Sequence, residues 1–153
     1  MEDVDARIVG LLAHDGRMSY TDLGKATGLS TSAVHQRVRR LEERGVILGY
    51  GARVDPTALG LPLTAFVAVS PLDPSAADDA PERLAGLWAI EACHSVAGED
   101  AYLLKVRVSS PLELEGVLAE IRAAAGVRTR TTVVLSTPYE GRPTLPGDPA
   151  SGA

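Results

Sequence analysis

The chain has 153 residues and a formal net charge of −5 at pH 7, and it is 45% hydrophobic and 23% charged. This composition is typical of a globular protein with enough apolar residues for a core, in one domain or two small ones. No apolar run approaches the roughly 20 residues of a membrane span. The acidic N-terminus does not resemble a signal peptide, so we expect a cytoplasmic protein. A single cysteine excludes a disulfide framework within the chain and a cysteine-rich zinc site.

The net negative charge comes entirely from the second half of the chain. Residues 1–60 contain eight basic and eight acidic residues, whereas residues 61–153 contain seven basic and twelve acidic ones. Residues 30–53 alone contain five arginines and two glutamates. The first half can therefore approach a phosphate backbone although the whole chain is acidic.

An amphipathic helix is predicted near the N-terminus, where Val4, Ile8, Leu11 and Leu12 recur at helical spacing. Two further helices are predicted to follow it, separated by a tight turn. We expect the N-terminal helix to close a small core with these two.

The first helix of that pair is predicted to begin at Tyr20, because Ser19 and Asp22 have the spacing of a capping box. Gly24 is small at a position where the next helix must cross closely. Gly28 can adopt the positive φ that ends a helix.

The second helix of the pair carries the side chains best suited to DNA. Ser30 is its predicted N-cap, and Val34, Val38 and Leu41 recur with the period of a buried stripe. The groups left outside suit base edges and phosphates in a major groove. The candidate DNA-binding residues are Ser30, Thr31, Ser32, His35, Gln36, Arg37, Arg39 and Arg40. This pattern predicts a helix-turn-helix, although a helical bundle with a solvated basic face would look similar.

The pattern changes again after this helix. Gly45–Tyr50 is predicted to be a short strand that begins a wing, which completes a DNA-binding domain at residues 1–53. Proline and glycine then punctuate residues 54–62, which are predicted to be a linker.

Residues 63–139 are predicted to form a β-α-β-β-α-β ferredoxin-like module, so the fold class is α+β. The predicted elements are a strand over Leu63–Val69, a helix over Asp78–Trp88 with Pro81 in its first turn, a strand over Ile90–Val96, a strand over Tyr102–Val108, a helix from Pro111 to about Ala125, and a strand over Val127–Ser136. Alternation predicts that Ile90, Ala92, His94 and Val96 share one side of their strand.

Such a module leaves one face of its sheet uncovered. Here we expect that face to be apolar enough to be covered by a second copy of the chain. From Pro138 onward Pro, Gly, Ser and Ala dominate, so residues 140–153 are predicted to be a disordered tail.

Several segments of the chain have a distinctive sequence. They include Asp5, Ile8, Leu11, Gly16-Arg17, LGKATGLSTSAVHQRVRRLEERGVILGY, VDPTALG, AGEDAYLLKV and VRTRTTVVL. In these segments the chain resembles the Lrp/AsnC, or feast/famine, transcriptional regulators, from about Val4 to Tyr139. The resemblance implies an N-terminal winged helix-turn-helix and a C-terminal module that dimerises and binds small amino acids. It also implies that dimers associate further, commonly into octamers.

The resemblance places an amino-acid effector near the turn at Gly98, at a contact between dimers. Asp100 has the charge to bind an α-ammonium group, and Glu99 is an alternative acid. The candidate effector-binding residues are Gly98, Glu99, Asp100, Ala101, Tyr102 and Thr131. The walls are expected to be apolar, which favours Leu, Phe or Met as the effector. A solvated hairpin turn would have a similar composition.

No catalytic or metal site is predicted. The three histidines have no metal-ligand spacing, and Cys93 and His94 are strand neighbours whose side chains point to opposite faces. We therefore expect a sequence-specific, effector-responsive transcriptional regulator that is not an enzyme and uses no cofactor. Two alternatives remain open, namely an architectural DNA-compacting protein and a tetrapyrrole decarboxylase of related layout.

Overall fold

A computed structural model describes residues 2–144 of the chain. These residues form two compact units, residues 2–53 with 139–144 and residues 54–138. The helices are α1 (Asp3–His14), α2 (Tyr20–Thr27), α3 (Thr31–Glu43), α4 (Ala80–Leu84) and α5 (Pro111–Ala125), and the strands are β1 (Leu63–Pro71), β2 (Ile90–Ser95), β3 (Tyr102–Val108) and β4 (Val127–Val133). Within the described residues, no helix is long and apolar enough to cross a membrane.

The caps of α2 and α3 are those that the sequence predicts. Ser19 Oγ accepts a hydrogen bond from the backbone N–H of Asp22 at 3.1 Å, and Ser30 Oγ accepts one from that of Ala33 at 3.2 Å. Gly28 ends α2 in the left-handed region, with a φ of 75°. Both predicted helix starts and the predicted helix end are confirmed.

The core of the first unit lies where the three helices meet. Its buried residues are Ile8, Leu12, Leu23, Val34, Val38 and Leu41. The apolar stripes predicted on α1 and α3 are therefore confirmed. Because these stripes face one another, the polar side of α3 is left at the surface.

Gly24 lies against the turn that leads into α3. A Cβ at this position would be only 2.6 Å from the carbonyl oxygen of Leu29, which is closer than a van der Waals contact allows. Since the obstacle is backbone, it cannot rotate away as a flexible side chain would. The close approach predicted at Gly24 is confirmed, with the turn rather than the next helix as the neighbour.

The strand predicted over Gly45–Tyr50 is not formed in the part of the chain that the structure describes. The N–H groups of Val46 and Ile47 both donate to the carbonyl of Leu41, so the backbone continues as turns after α3. The side chain of Leu48 is then 93% exposed. A strand needs a hydrogen-bonded neighbour, and none of the described strands pairs with this segment. The prediction of a wing strand at this position was therefore wrong.

The second unit is a four-stranded antiparallel sheet in the order β2-β3-β1-β4, with α4 and α5 on one face. The core between them contains Ala65, Val67, Val69, Leu84, Ala89, Leu104, Val106, Val108, Leu114, Val117, Ile121 and Val127. This order of strands and helices confirms the predicted ferredoxin-like module.

The helix predicted over Asp78–Trp88 is much shorter than expected. Only α4 is helical, and Leu84 is its one buried residue. The segment after α4 turns instead, with the N–H of Leu87 donating to the carbonyl of Leu84 and with Trp88 64% exposed. A helix that buries a single side chain gains too little from packing to extend further.

The alternation predicted for β2 is interrupted by an irregularity after Ile90. Ile90 lies opposite Val106 and Cys93 lies opposite Leu104, so Ile90 and Cys93 both face the helices. His94 consequently faces the uncovered side of the sheet. One extra residue in a strand reverses its alternation, and the prediction that Ile90 and His94 share a face was therefore wrong.

The uncovered face of the sheet is mixed and not simply apolar. Phe66, Ala68 and Leu103 form its apolar centre, since they alternate with residues of the core. Lys105 is buried beside them, with its Nζ 3.0 Å from Glu91 Oε1. The apolar face predicted for association is thus corrected to an apolar centre flanked by ion pairs.

The predicted tail at residues 140–153 is described only in part. Residues 140–144 contain no helix or strand, and residues 145–153 lie outside the described residues. The guanidinium of Arg53 donates a hydrogen bond of 2.9 Å to the carbonyl of Glu140. The beginning of the tail therefore contacts the first unit.

We expect Gly24→Ala to lower the free energy of unfolding of the first unit by about 1–3 kcal/mol, because the added methyl group meets fixed backbone. Gly116→Ala in α5 is the matched control, since a Cβ there meets no atom within 4 Å. The control should stabilise the second unit by about 0.5–1 kcal/mol. Calorimetric unfolding of the intact chain measures both, and an unaffected Gly24→Ala chain would contradict the close approach.

Candidate nucleic-acid interface and effector site

Helix α3 exposes most of the polar side chains that the sequence predicts for DNA contact. The exposed candidates are Ser30, Thr31, Ser32, His35, Gln36, Arg39 and Arg40. They lie away from the buried stripe of α3, so the packing of that stripe determines which groups face outward. Hydroxyl, amide and guanidinium groups in one row match the hydrogen-bonding groups of base edges and phosphates.

Arg39 and Arg40 differ in how they are engaged. Arg39 Nε donates to Glu43 Oε1 at 2.8 Å in an exposed pair one helical turn apart. Arg40 is exposed, and no partner for it is found among residues 2–144. An exposed pair of this kind contributes little, so Arg39 can exchange Glu43 for a phosphate at small cost.

His35 is oriented by an aromatic neighbour on α2. Its ring and that of Tyr20 are 5.4 Å apart between centroids and nearly perpendicular, at 84°. This edge-to-face contact links the two helices beside the exposed row. The sequence did not single out Tyr20, because no local pattern indicates which ring it will meet.

Arg37 does not belong to the outward-facing row, and its predicted orientation was wrong. Its Nη1 donates to Asp5 Oδ1 and to Glu2 Oε2, each at 2.8 Å, which ties α3 to the beginning of α1. The hydrogen bonds that Arg37 donates, first to Asp5 and then to Glu2, raise the pKa of its guanidinium. Asp5 is buried next to the apolar stripe of α1. An acid in that position is the sequence signal that could have revealed the pair.

Tyr50 holds the segment that follows α3. Its hydroxyl donates to Glu42 Oε1 at 2.9 Å. Partial burial and then the Glu42 carboxylate raise the pKa of Tyr50 to about 12, so the phenol stays protonated at neutral pH. This contact places the chain after α3 back against the end of that helix.

The turn between β2 and β3 is the candidate effector site. The N–H of Val96 donates to the carbonyl of Ala101 at 3.1 Å, and the N–H of Ala101 donates to the carbonyl of Val69 at 2.9 Å. Gly98 has a φ of 153°, which other residues rarely adopt, and the space where its Cβ would lie is open. The base of the turn is thus fixed to β1, while Gly98 and Glu99 are exposed.

Asp100 is the acid that the turn holds in place. Ser70 Oγ donates to Asp100 Oδ1 at 3.0 Å, and the guanidinium of Arg130 donates to Asp100 Oδ2. Hydrogen bonds from Arg130 and then Ser70 lower the pKa of the Asp100 carboxyl, so it is charged at neutral pH. Glu99 is exposed, and no partner for it is found within residues 2–144. Of the two acids, Asp100 is the one whose carboxylate is held in place by hydrogen bonds.

Thr131 is on the wrong face of the sheet to join Asp100. It lies opposite Val67 of the core, whereas Arg130 lies opposite Ala68 of the uncovered face. Successive residues of a strand point to opposite sides, so Thr131 and Asp100 of one chain lie on opposite faces of the sheet. A single chain therefore does not bring Thr131 to Asp100. Arg130 is the β4 residue at Asp100, and sequence reasoning missed it.

Two cavities flank the turn, one on each face of the sheet. The open-face groove has a volume of about 380 Å³ and is lined by Phe66, Ala68, Val96, Asp100, Tyr102, Leu103, Arg130 and Thr132. It combines an apolar floor with one acid and one base. Such a combination fits a small ligand that has an apolar part and both charges.

The helix-side cavity is larger, at about 550 Å³, and Ala101, Tyr102 and Leu72 line it. The hydroxyl of Tyr102 donates to Asp78 Oδ1 at 2.8 Å, and Arg83, a further lining residue, pairs with Asp79, the residue that precedes α4. Asp100 does not line this cavity. Of the predicted residues, Ala101 therefore lines only the helix-side cavity, whereas Tyr102 lines both cavities.

Cys93 and His94 line neither of these two cavities. Cys93 and His94 face opposite sides of β2, and partial burial followed by the nearby Glu82 raises the pKa of the Cys93 thiol. A protonated thiol is a poor nucleophile. Within the described part of the chain, no group of three or more His, Cys, Asp or Glu residues is placed to hold a metal ion.

Comparison with known families gives two matches, one to each unit. Residues 1–42 match the AsnC-type helix-turn-helix domain, and residues 64–144 match the Lrp/AsnC ligand binding domain. Both matches agree with the fold of the segment concerned.

Individual relatives are similar over most of their length. The HTH-type transcriptional regulator LrpA of Mycobacterium tuberculosis is 52% identical over 146 residues, which cover 95% of this chain and 97% of that protein. The leucine-responsive regulatory protein of Escherichia coli is 36% identical over 88% of this chain and 85% of its own length. A structure of the feast or famine regulatory protein from M. tuberculosis complexed with L-methionine is 52% identical, with a TM-score of 0.93 over 95% of this chain and 99% of that one.

We expect Arg130→Gln to raise the pKa of Asp100 toward its ordinary value, because the largest cause of the lowered pKa is removed. A carboxyl whose pKa is lower in the folded state stabilises the fold above its unfolded pKa of about 4, and this stabilisation disappears as the pH falls through the folded value. Below about pH 4 the wild type should therefore lose stability more steeply than Arg130→Gln.

Carbon-detected NMR titration of the Asp100 carboxyl measures this difference. Arg128→Gln is the control on the same strand, since Arg128 acts on Asp100 only through space. An Asp100 pKa that is the same in Arg130→Gln and the wild type would show that the ion pair does not form in solution.

Proposed function

Because this chain belongs to the Lrp/AsnC family of transcriptional regulators, we propose that it reads DNA through the exposed row of α3 and that an amino acid bound beside Asp100 modulates this binding. The chain is a helix-turn-helix DNA-binding regulator. The observation that carries the proposed site is the row of polar side chains on α3, which lies opposite a fully buried apolar stripe.

Sequence-specific binding is favoured over architectural DNA compaction by the composition of that row. Gln36 is exposed beside the two arginines, and its amide has the donor and acceptor needed to read an adenine edge. Compaction through phosphates and DNA flexibility needs positive charge but no such amide. Gln36 is therefore the residue by which the two functions can be distinguished.

A binding function is also favoured over catalysis. A decarboxylase acting on an acidic tetrapyrrole would need cationic groups gathered in its substrate pocket. The open-face groove has one guanidinium that already pairs with Asp100, and the helix-side cavity has Arg83, which already pairs with Asp79. We propose that the chain is not an enzyme.

The proposed effector is an apolar amino acid. Asp100 is fixed and charged, as an ammonium partner must be. Val96 and the ring of Tyr102, at the turn itself, supply an apolar floor near it. The L-methionine bound by the M. tuberculosis relative belongs to this chemical class. A charged side chain such as that of lysine or aspartate would meet no counter-charge on that floor.

The proposed assembly is a dimer formed through the uncovered sheet face, with dimers associating further, as in an octamer. An apolar centre favours burial against a second copy, and the flanking pair of Lys105 and Glu91 restricts its register. A dimer presents two copies of α3, so a roughly palindromic operator is expected. The proposed place of action is the cytoplasm.

For DNA binding, we expect Arg40→Ala to weaken binding to operator and unrelated DNA by similar factors, because an interaction with phosphate carries no sequence information. The slope of log Kobs against log salt should become less negative by about 0.9 for each phosphate that is no longer neutralised. Gln36→Ala should instead reduce the preference for the operator by about 1–3 kcal/mol. Fluorescence anisotropy at several salt concentrations measures both quantities.

Arg128→Ala is the charge-matched control for this experiment, since it removes one exposed guanidinium from the second unit. It should leave both the affinity and the salt dependence unchanged. If neither α3 substitution changes the footprint on DNA, another element must contact the groove. If Gln36→Ala affects all sequences equally, the architectural function is supported instead.

For assembly, we expect residues 61–139 alone to fold and dimerise, and residues 1–60 alone to be monomeric and to bind DNA weakly. Each part has its own core, and the uncovered sheet face belongs to the second. Sedimentation at micromolar concentrations measures both states. A monomeric second unit would exclude dimerisation through its sheet.

A further inference from the structure

We propose that Tyr20 positions His35, and that His35 donates a ring N–H to N7 of a purine in the operator. This inference rests on the proposed function, because it requires the exposed row of α3 to lie in the major groove. Tyr20 acts on the DNA only through His35 and is therefore a positioning residue. The two rings are 5.4 Å apart between centroids, with their planes at 84°.

The contact with Tyr20 limits the conformations of His35 before DNA is bound. An exposed side chain samples several rotamers, and holding it in one of them costs entropy when a ligand binds. Edge-to-face packing stabilises the rotamer of His35 that makes this contact. Part of the entropy cost is therefore removed in the free protein, as it is in any preorganised site.

Tyr20 can position His35 because its own place in the structure is fixed. It is the first residue of α2, directly after the N-cap Ser19. Ser19 Oγ accepts a hydrogen bond from the backbone N–H of Asp22 at 3.1 Å and donates one to Asp22 Oδ2 at 2.6 Å. Three residues after Tyr20, Leu23 is fully buried in the core. The start of α2 therefore holds the ring of Tyr20 beside α3, although 37% of this residue is exposed.

His35 lies in the half of α3 that contacts bases in a helix-turn-helix. It is the fifth residue of this helix, whereas Arg39 and Arg40 belong to the second half. In this motif the N-terminal residues of the recognition helix contact base edges. The position of His35 therefore favours a base as its partner over a phosphate.

The imidazole of His35 has a hydrogen-bond donor available for DNA. Neither of its ring nitrogens is hydrogen-bonded to another group among residues 2–144. A neutral imidazole has one N–H donor and one acceptor nitrogen, and because these point in different directions, one base edge meets only one of them.

A single N–H donor distinguishes a purine from a pyrimidine in the major groove. N7 is the acceptor that guanine and adenine both present there, and cytosine and thymine have no acceptor at the corresponding place. The amide of Gln36 differs, because it can bind both the acceptor and the donor of an adenine edge. His35 and Gln36 therefore specify neighbouring base pairs in different ways.

The test uses operator duplexes that the full-length wild type selects from random DNA. Fluorescence anisotropy compares each duplex with duplexes in which one purine is replaced by its 7-deaza analogue, which lacks the N7 acceptor. At one purine of each half-site the analogue should weaken wild-type binding by roughly threefold or more, since a hydrogen bond is lost. His35→Ala should remove this difference between the natural and the 7-deaza duplex.

Substitutions of Tyr20 separate positioning from a general effect on stability. Tyr20→Phe keeps the ring and should keep the full difference. Tyr20→Leu and Tyr20→Met keep apolar surface but remove the ring, and they should reduce the difference at the same purine by about twofold or more. A substitution that only destabilised the fold would weaken binding to both duplexes alike. In the His35→Ala background, Tyr20→Leu should leave the ratio of the two affinities unchanged.

Gln36→Ala is the matched control, because it removes the neighbouring exposed side chain and should keep the difference at the purine assigned to His35. An equal loss of affinity for all duplexes in His35→Ala would place His35 on a phosphate and overturn the inference, with a sequence-specific regulator left intact. An undiminished difference in the variants without a ring would overturn the role of Tyr20. If the wild type selects no sequence from random DNA, sequence-specific reading is overturned together with this inference.

Discussion

The packing of Val34, Val38 and Leu41 against α1 and α2 determines what the first unit can present to DNA. These three side chains fix the rotation of α3 about its own axis, because no other rotation buries them together. This rotation determines the direction in which each exposed side chain of α3 points. Arg37 stands at the border of the buried stripe, where its charge is satisfied by acids of α1. The same one-sided burial in the sheet separates the two cavities beside the effector turn.

Local patterns in the sequence were sufficient to predict features whose interacting residues lie within about one helical turn of each other. Ser19 and Ser30 cap the helices that they immediately precede, and Gly28 ends α2 through its own backbone. Long-range partners were not predictable in the same way. Arg37 and Asp5 are 32 positions apart, and only the meeting of two helices makes them a pair. A solvated outward arginine was the simplest interpretation of the α3 pattern alone.

In the sheet, too, the sequence predicted the order of the elements better than their contacts. Strand order follows from the succession of elements, but faces follow from register, and one irregularity after Ile90 reverses the faces of β2. The candidate effector site depends on such a detail, since the pairing of β1 with β4 brings Arg130 and not Thr131 to the side of Asp100. The strand predicted at Gly45–Tyr50 failed for a related reason, because β structure requires a neighbour that composition cannot reveal.

The ion pair between Asp5 and Arg37 has a consequence for how chains of this kind diverge. Each charge is stable in its half-buried place only while the other is present. Loss of one charge therefore destabilises the fold unless the residue at the second position also changes. The two positions should therefore vary together, either as an acid with a base or as two neutral groups. The exposed residues of α3 can accordingly change freely, whereas the residue at position 37 is constrained by the residues at the beginning of α1.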